Sequence, residues 1–353
     1  MKTLYIASNS AYAGKSLAAL AIALHLKDQG RKVGYFKPLG SLRHELNGQV
    51  SDEDALYIAE QIGAGAAPGD LCPIIMDEQL TDRACAGDLV HLEEQVLAAF
   101  RRAAKGQEIM VAGGIGGLSR GALVGLAAAD VAKLLEASVV LMVRYEGDDS
   151  IEDVLLASAL FGNRLLGVIF NCASNHDHEH LLRVIAPCLE KKGLTVFGVL
   201  PEDDTLRAIS LRELAEGLGA KVLCGEKGLE ALAKHFLVGA MGPQSAAKYL
   251  QRVEDKVVVT GGDRPDIQLA ALQTSTRGLV LTGGLHPSAV ILKRAQELGI
   301  PVLLVAGDTF SVVEEVERLK GRLRVRGETK IARARELFGK HVDLARLCDI
   351  LGA

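Results

Sequence analysis

The 353 residues are 49% hydrophobic and 24% charged, with a mean hydropathy of +0.21, a composition that buries cores and excludes a disordered chain. The length predicts two domains, or one large domain and a small one. A net charge of −4 and only 4% aromatic residues exclude a surface built to neutralise and stack on nucleic acid, so no nucleic-acid partner is expected.

Charge is uneven along the chain. Residues 241–353 carry 17 Lys+Arg against 13 Asp+Glu, whereas the first 240 carry 23 against 31. The apolar stretch Leu4–Ala7 is too short for a secretion signal, and no run approaches the ~18 residues of a membrane span. The six cysteines (72, 85, 172, 188, 224 and 348) form no CxxC pair, which points to reduced thiols and a cytoplasmic protein.

In chain order, Leu4–Ala7, Val33–Phe36, Glu108–Val111, Ser138–Val143, Leu166–Phe170 and Val196–Leu200 predict strands. Most are apolar on both faces, as strands covered by helices on each side must be. Helical spacing fills Ser16–Gln29, Asp52–Ile62, Leu92–Ala103 and Glu152–Leu160, giving an α/β fold with a doubly wound parallel sheet. A second set, Val257–Thr260, Gly278–Thr282 and Val302–Val305, alternates with helical Asp266–Leu272 and Pro287–Leu298. It predicts a smaller α/β domain over 250–353 after a first domain over 1–238, with Gly239–Pro243 as a linker. Gly261-Gly262 and Gly283-Gly284 each follow a strand and a Thr, read either as a faint duplication or as two similar turns.

The sharpest motif is Ser8-Asn9-Ser10-Ala11-Tyr12-Ala13-Gly14-Lys15-Ser16, placed after the first strand and opening the first helix. Backbone N–H groups at a helix start cradle phosphate oxygens, a Lys neutralises their charge and a Ser hydroxyl reaches Mg²⁺. Ser10 and Ala13 to Ser16 are therefore the candidate nucleotide-binding residues. Asn9 departs from the usual G-x-x-x-x-G-K-[ST] pattern, and an ordinary strand-to-helix turn is the alternative.

With Gly30-Arg31-Lys32-Val33-Gly34-Tyr35-Phe36-Lys37-Pro38, this start resembles dethiobiotin synthetase and the dethiobiotin-synthetase-like N-terminal region of long bacterial phosphotransacetylases. Ser51-Asp52-Glu53-Asp54-Ala55-Leu56, Gly167-Val168-Ile169-Phe170-Asn171 and Gly198-Val199-Leu200-Pro201-Glu202-Asp203 continue the likeness. Val259-Thr260-Gly261-Gly262-Asp263-Arg264, Leu281-Thr282-Gly283-Gly284 and Val302 to Thr309 then resemble a DRTGG domain. The order of these segments covers nearly the whole chain. The phosphotransacetylases that it resembles carry an acetyltransferase domain beyond this point, so acetyl transfer is not expected of these residues.

The resemblance implies roles at matching positions. Lys37 would hold a substrate carboxylate or carbamate, Asp54 (or Asp52 in its stead) would serve Mg²⁺ together with Ser16, and Asn171 would contact adenine. The bland alternatives are a solvated strand-end Lys, acids facing a helix dipole and a polar turn residue. The synthetases' metal-holding Glu-Gly pair reads Ala112-Gly113 here, which favours nucleotide binding over phosphoryl-transfer catalysis.

Three further features stand apart. His176-Asp177-His178-Glu179-His180 reads as a solvated helix start rather than a metal site. Arg318, Lys320, Arg322, Arg324, Arg326, Lys330, Arg333 and Arg335 read as a basic stretch with an edge strand at its centre. Asp263, Arg264, Thr282, Gly283 and Gly284 lie on loops after strands, where open α/β sheets bind ligands or make interfaces.

Two functions follow as expectations. One is a nucleotide-binding regulatory or scaffold protein, a homo-oligomer that binds ATP or a related nucleotide with Mg²⁺ and reports occupancy to a separate acyltransferase partner. The other is an ATP- and Mg-dependent carboxylate or amine ligase with Lys37 as its catalytic residue. A degenerate P-loop kept for protein contact is the third reading.

Overall fold

Six parallel strands build the first sheet: β1 (Lys2–Ser8), β2 (Val33–Phe36), β3 (Ile109–Gly113), β4 (Ser138–Arg144), β5 (Leu165–Ala173) and β6 (Val196–Pro201). In this computed structural model, which describes residues 1–89, 91–239, 243–321 and 327–352, their order is β6-β5-β4-β1-β3-β2. The central strands are buried along nearly their whole length, as helices on both faces require. Because β1 lies between β3 and β4, the chain leaves it in opposite directions. The crevice at its C-terminal end is the topological switch point where such sheets bind ligands.

Helix α1 (Lys15–Asp28) is buried from Leu17 to Ala23 without interruption and again at Leu26, as a helix apolar all round must be. The helix Glu328–His341 packs against it, with Arg335 pairing to Asp28. The chain then bridges β6 at Gly198–Val342, where Asp343 N donates to Phe197 O at 2.7 Å. A Cβ on Gly198 would strike the His341 carbonyl, so glycine is required there.

The second sheet comprises β7 (Lys221–Cys224), β8 (His235–Val238), β9 (Lys256–Gly261), β10 (Thr276–Thr282) and β11 (Val302–Leu304), in the order β7-β11-β10-β9-β8. Only β7 is antiparallel to its neighbour. Its core joins Val257, Val259, Val280 and Leu303 to Leu211, Leu214 and Val316 on one face. On the other face Val258, Leu279 and Leu281 meet Ile267, Ala271 and Ile291.

The division therefore differs from the expected boundaries of 1–238 and 250–353. One compact unit runs from Met1 to Glu202 and regains the C-terminal helices, and the second begins at Asp203 and takes in the helix Thr309–Gly321. The reason is strand pairing: β8 joins β9, so Gly239–Pro243 connects two elements of one unit rather than two domains. Ala240 to Gly242 lie outside the described residues.

The basic stretch is also corrected. Arg318 and Lys320 fall within the helix Thr309–Gly321, and Lys330, Arg333 and Arg335 fall on Glu328–His341. Arg322, Arg324 and Arg326 lie outside the described residues. The two Gly-Gly turns are not conformational copies, because Gly283 and Gly284 take φ of 79° and 65° whereas neither Gly261 nor Gly262 has a positive φ.

Candidate functional site

The loop from Ser8 to Lys15 crosses the C-terminal end of β1. Gly14 takes the left-handed conformation (φ 98°, ψ 18°) at the N-cap of α1, with no side chain capping the helix. The first-turn N–H groups thus lack a side-chain acceptor, the arrangement that suits an anion. A Cβ at Gly14 would lie 2.5 Å from Asn171 Nδ2. Tyr12 also takes a positive φ, 59°, and is exposed.

Asn9, where the common motif has glycine, works as a clamp. Its Nδ2 donates to Arg144 O (3.3 Å) and Asp153 Oδ2 (3.0 Å), and its Oδ1 accepts from Arg144 N (3.0 Å). These bonds fix the loop to the end of β4. Asn171 braces the other side, its Nδ2 donating to Ala13 O at 3.0 Å.

The Lys15 ammonium, 9% exposed, donates to Ser8 Oγ (2.7 Å), Gly116 O (2.5 Å) and Ser10 O (3.5 Å). Burial and the neighbouring Lys37 charge lower its pKa from 10.5 to about 7. Its three acceptors are neutral oxygens, so the charge of Lys15 is solvated by dipoles alone.

Lys37 and Asp52 form a buried ion pair at 2.7 Å. Asp52 is saturated: Oδ1 also accepts from Asp54 N and Ala55 N, and Oδ2 from Ser41 N and Leu42 N. It caps the start of α2 (Glu53–Gln61) while it neutralises Lys37. Burial opposes ionisation, yet Lys37 and these amides hold the carboxyl below its usual range. Lys37, in turn, is kept charged above its ordinary value by Asp52 and Asp54 despite its burial.

Asp54 is the acid that remains partly accessible. Its Oδ2 lies 3.4 Å from Ser16 Oγ and 3.8 Å from Lys37 Nζ. Two hard oxygens at that spacing suit adjacent positions on an octahedral Mg²⁺ with phosphate and water completing the shell. Among the described residues no group of three or more His, Cys, Asp or Glu is gathered for a metal.

Ala112, where the resemblance places a metal-holding Glu, is fully buried in the apolar core with Phe36 and Leu39. The following residue, Gly113, faces Tyr35: a Cβ there would collide with the Tyr35 hydroxyl.

In the second unit, the expected residues are drawn into local bonds. Arg264 forms a two-pronged pair with Asp266 (3.1 and 3.0 Å), and Thr282 Oγ1 meets Thr309 Oγ1 at 2.7 Å. Gly283 N and Gly284 N donate to Gly307 O and Val305 O. Gln268 Nε2 donates to the carbonyls of Gly261 and Gly262. Asp263 sits in the turn after β9, its carboxylate folded back over Gly261.

A family model described as an AAA domain matches residues 2–210, more than half of the chain, and a DRTGG domain model matches 213–319. The chain belongs to the AAA domain family. The phosphate acetyltransferase of Synechocystis sp. is 26% identical over 99% of this chain and 52% of its own length. That of Nitratidesulfovibrio vulgaris is 25% identical over 98% and 51%. The chain thus spans about half the length of the curated relatives it matches, and the AAA–DRTGG pair matches their N-terminal region. A solved structure of the CBS and DRTGG domains of the regulatory region of Clostridium perfringens pyrophosphatase covers 45% of this chain and 76% of that one, at 18% identity and TM-score 0.30.

The AAA domain thus brings Ser10, Ala13 to Ser16, Asn171, Lys37 and Asp54 to one end of its sheet. Sequence reasoning missed the clamp by Asn9 and the Ser8 and Gly116 oxygens on Lys15. The glycine-rich segment Gly113-Gly114-Ile115-Gly116-Gly117 was the available signal, since it marks a close backbone approach to the loop. The histidine segment is a helix start capped by Ser174, with His178 turned toward Val199 O and the His341 ring. All six cysteines are free thiols. Among the described residues no helix is long and apolar enough to cross a membrane.

Proposed function

We propose that this protein binds ATP or a related nucleotide with Mg²⁺ at the Ser8–Ser16 loop and reports that occupancy to a partner. The observation that carries this reading is Lys15: a buried ammonium held only by neutral oxygens, next to a second buried cation, at the uncapped start of α1. A polyanion there supplies the counter-charge that the fold withholds. Ser16 and Asp54 would hold the cation, and Asn171 would border the nucleotide.

The kinship with phosphate acetyltransferases supports a regulatory or scaffold role toward a separate acyltransferase of a cytoplasmic assembly, with the DRTGG unit as oligomer interface or second ligand site. Calorimetric titration with Mg·ATP and Mg·ADP tests the first step. Binding that Lys15→Ala abolishes supports it. No binding, and no rise in melting temperature, would leave a P-loop fold kept for protein contact.

A ligase of the dethiobiotin synthetase type is the second reading, favoured by the Lys37–Asp52–Asp54 group beside Ser16. It requires Lys37 to engage a substrate anion while already paired to Asp52. ADP release dependent on a small carboxylic acid or amine, and lost in Lys37→Gln, would establish it. Silence across a metabolite panel would exclude it.

A further inference from the structure

The helix Asp149–Phe161 follows β4 and buries Val154, Ala157 and Phe161 in the core of the first unit. Its opposite face, at steps of three and four residues, is Asp149, Glu152, Leu156 and Leu160. The outward face of a surface helix is ordinarily polar, yet Leu156 and Leu160 are 55% and 49% exposed. Charge on this helix is sorted as well. Asp149 and Glu152 stand in its first turn, and Arg164 in the short turn Gly162–Arg164 that ends it. Among the described residues none of these three makes an ion pair. The spacing is symmetric, with Asp149 seven residues before Leu156 and Arg164 eight residues after it. The face is also held in one shape. Ser150 Oγ accepts from Glu146 N (2.9 Å) and donates to Arg144 O (3.3 Å), and Asp153 accepts from Asn9 Nδ2 (3.0 Å). A surface fixed in advance loses little freedom when it is covered.

We propose that this face is an interface between two copies of the chain, packed antiparallel about a two-fold axis at Leu156. Laid that way, the acidic end of each helix meets the Arg164 end of the other, and the positive pole of each helix lies beside the negative pole of its mate. Leu156 and Leu160 of both copies close on one another between these ends, removing apolar surface from water. A foreign partner would have to match this pattern independently, whereas the chain already carries both halves of it. Thirteen residues of helix span about 20 Å, a small contact by the measure of stable dimers, so the association is expected to be micromolar and concentration-dependent.

Sedimentation equilibrium of the full chain across the micromolar range tests this, run without nucleotide so that the outcome is independent of the nucleotide-binding reading. A monomer–dimer equilibrium is expected. Leu156→Glu sets two like charges at the axis and should weaken the dimer at least about tenfold. Arg164→Asp should weaken it by about threefold to tenfold, since the lost pair occurs twice. Adding Asp149→Arg to Arg164→Asp should restore it, because the two charges then exchange places across the axis. Melting curves at concentrations where the wild type is monomeric should match for all of these variants, whose altered side chains lie outside the core. The proposal is overturned if the chain stays monomeric throughout, if Leu156→Glu dimerises like the wild type, or if the charge exchange fails to recover what Arg164→Asp lost. A dimer that resists Leu156→Glu and yields to Phe310→Glu, at an exposed aromatic of the second unit, would also overturn it and place the interface on that unit.

Discussion

The two units place glycine-bearing turns after parallel strands, yet they treat charge in opposite ways. At the end of β1 and β2 the first unit buries Lys15, Lys37 and Asp52 at 9% exposure or less. At the ends of β9 to β11 the second unit keeps Arg264 and Asp266 one-third exposed and paired to each other, while Asp308 caps the helix that follows it. A buried charge loses hydration that only a close partner or ligand restores, whereas a surface pair loses little and gains little. On the nucleotide-binding reading proposed above, the same strand–turn–helix grammar would mark a ligand site only where charge has been taken out of water. The largest consequence falls on Asp52. Asp52→Ala removes the Lys37 counter-charge and four amide bonds together, and should cost about 3–5 kcal/mol in urea unfolding. A loss below about 1 kcal/mol would erase the contrast between the units.

Glycine gives the next largest difference. Gly14→Ala must adopt φ 98° and press its methyl to 2.5 Å from Asn171 Nδ2, so a loss of about 2–3 kcal/mol together with nucleotide binding is expected. Gly283→Ala meets nothing nearer than 3.7 Å. It bears only the left-handed backbone penalty, about 1 kcal/mol. Equal losses at the two sites, measured by the same unfolding curves, would show that backbone strain alone decides.

Protons sharpen the contrast further. Lys15 releases its proton at about 7 in the folded protein against 10.5 ordinarily. Between those values the unfolded chain holds a proton that the folded chain has shed, so the contribution of Lys15 makes stability rise with pH across that window. Below pH 7 both states are protonated and the burial penalty is borne in full. A bound polyanion reverses the burden, and at pH 8 binding should take up a proton, approaching about one per site. Calorimetry in two buffers of different ionisation enthalpy reads this directly. Equal heats in the two buffers would mean that Lys15 is already charged at pH 8 and is not held by neutral dipoles alone.

How much of this was legible in the chain follows burial. All six strands of the first sheet are apolar runs, and the loop before Lys15 is a local motif, so both are written in consecutive residues. Strands β7 and β8 were not legible because they are short, partly exposed edges whose apolar runs, Val222–Cys224 and Phe236–Val238, are only three residues long. The return of the C-terminal helices to the first unit depends on a contact between Gly198 and Val342, far apart in sequence. At the site, Asp52 and Asp54 are equivalent as letters near a helix start. Only the fold makes Asp52 the saturated cap and leaves Asp54 to face Ser16. Asn9 read as a defect in a motif, because its partner Asp153 lies 144 residues away.

The smallest predicted effect is the most exacting check on the comparison. Arg264→Ala removes both prongs of the pair to Asp266, the most regular ion pair near the second unit's candidate loops. Because both members of the pair are one-third exposed, the ion pair itself is worth about 0–1 kcal/mol, and the melting temperature should fall by no more than about 4 °C. High salt should not change that result, since there is little attraction left to screen. A larger drop would mean that this partly exposed charge matters as much as the buried charges of the first unit, which would bring the second unit's turns into the same class as the P-loop. If the drop appeared only with nucleotide present, or only as protein concentration rose, it would identify those turns as a ligand site or as an interface respectively.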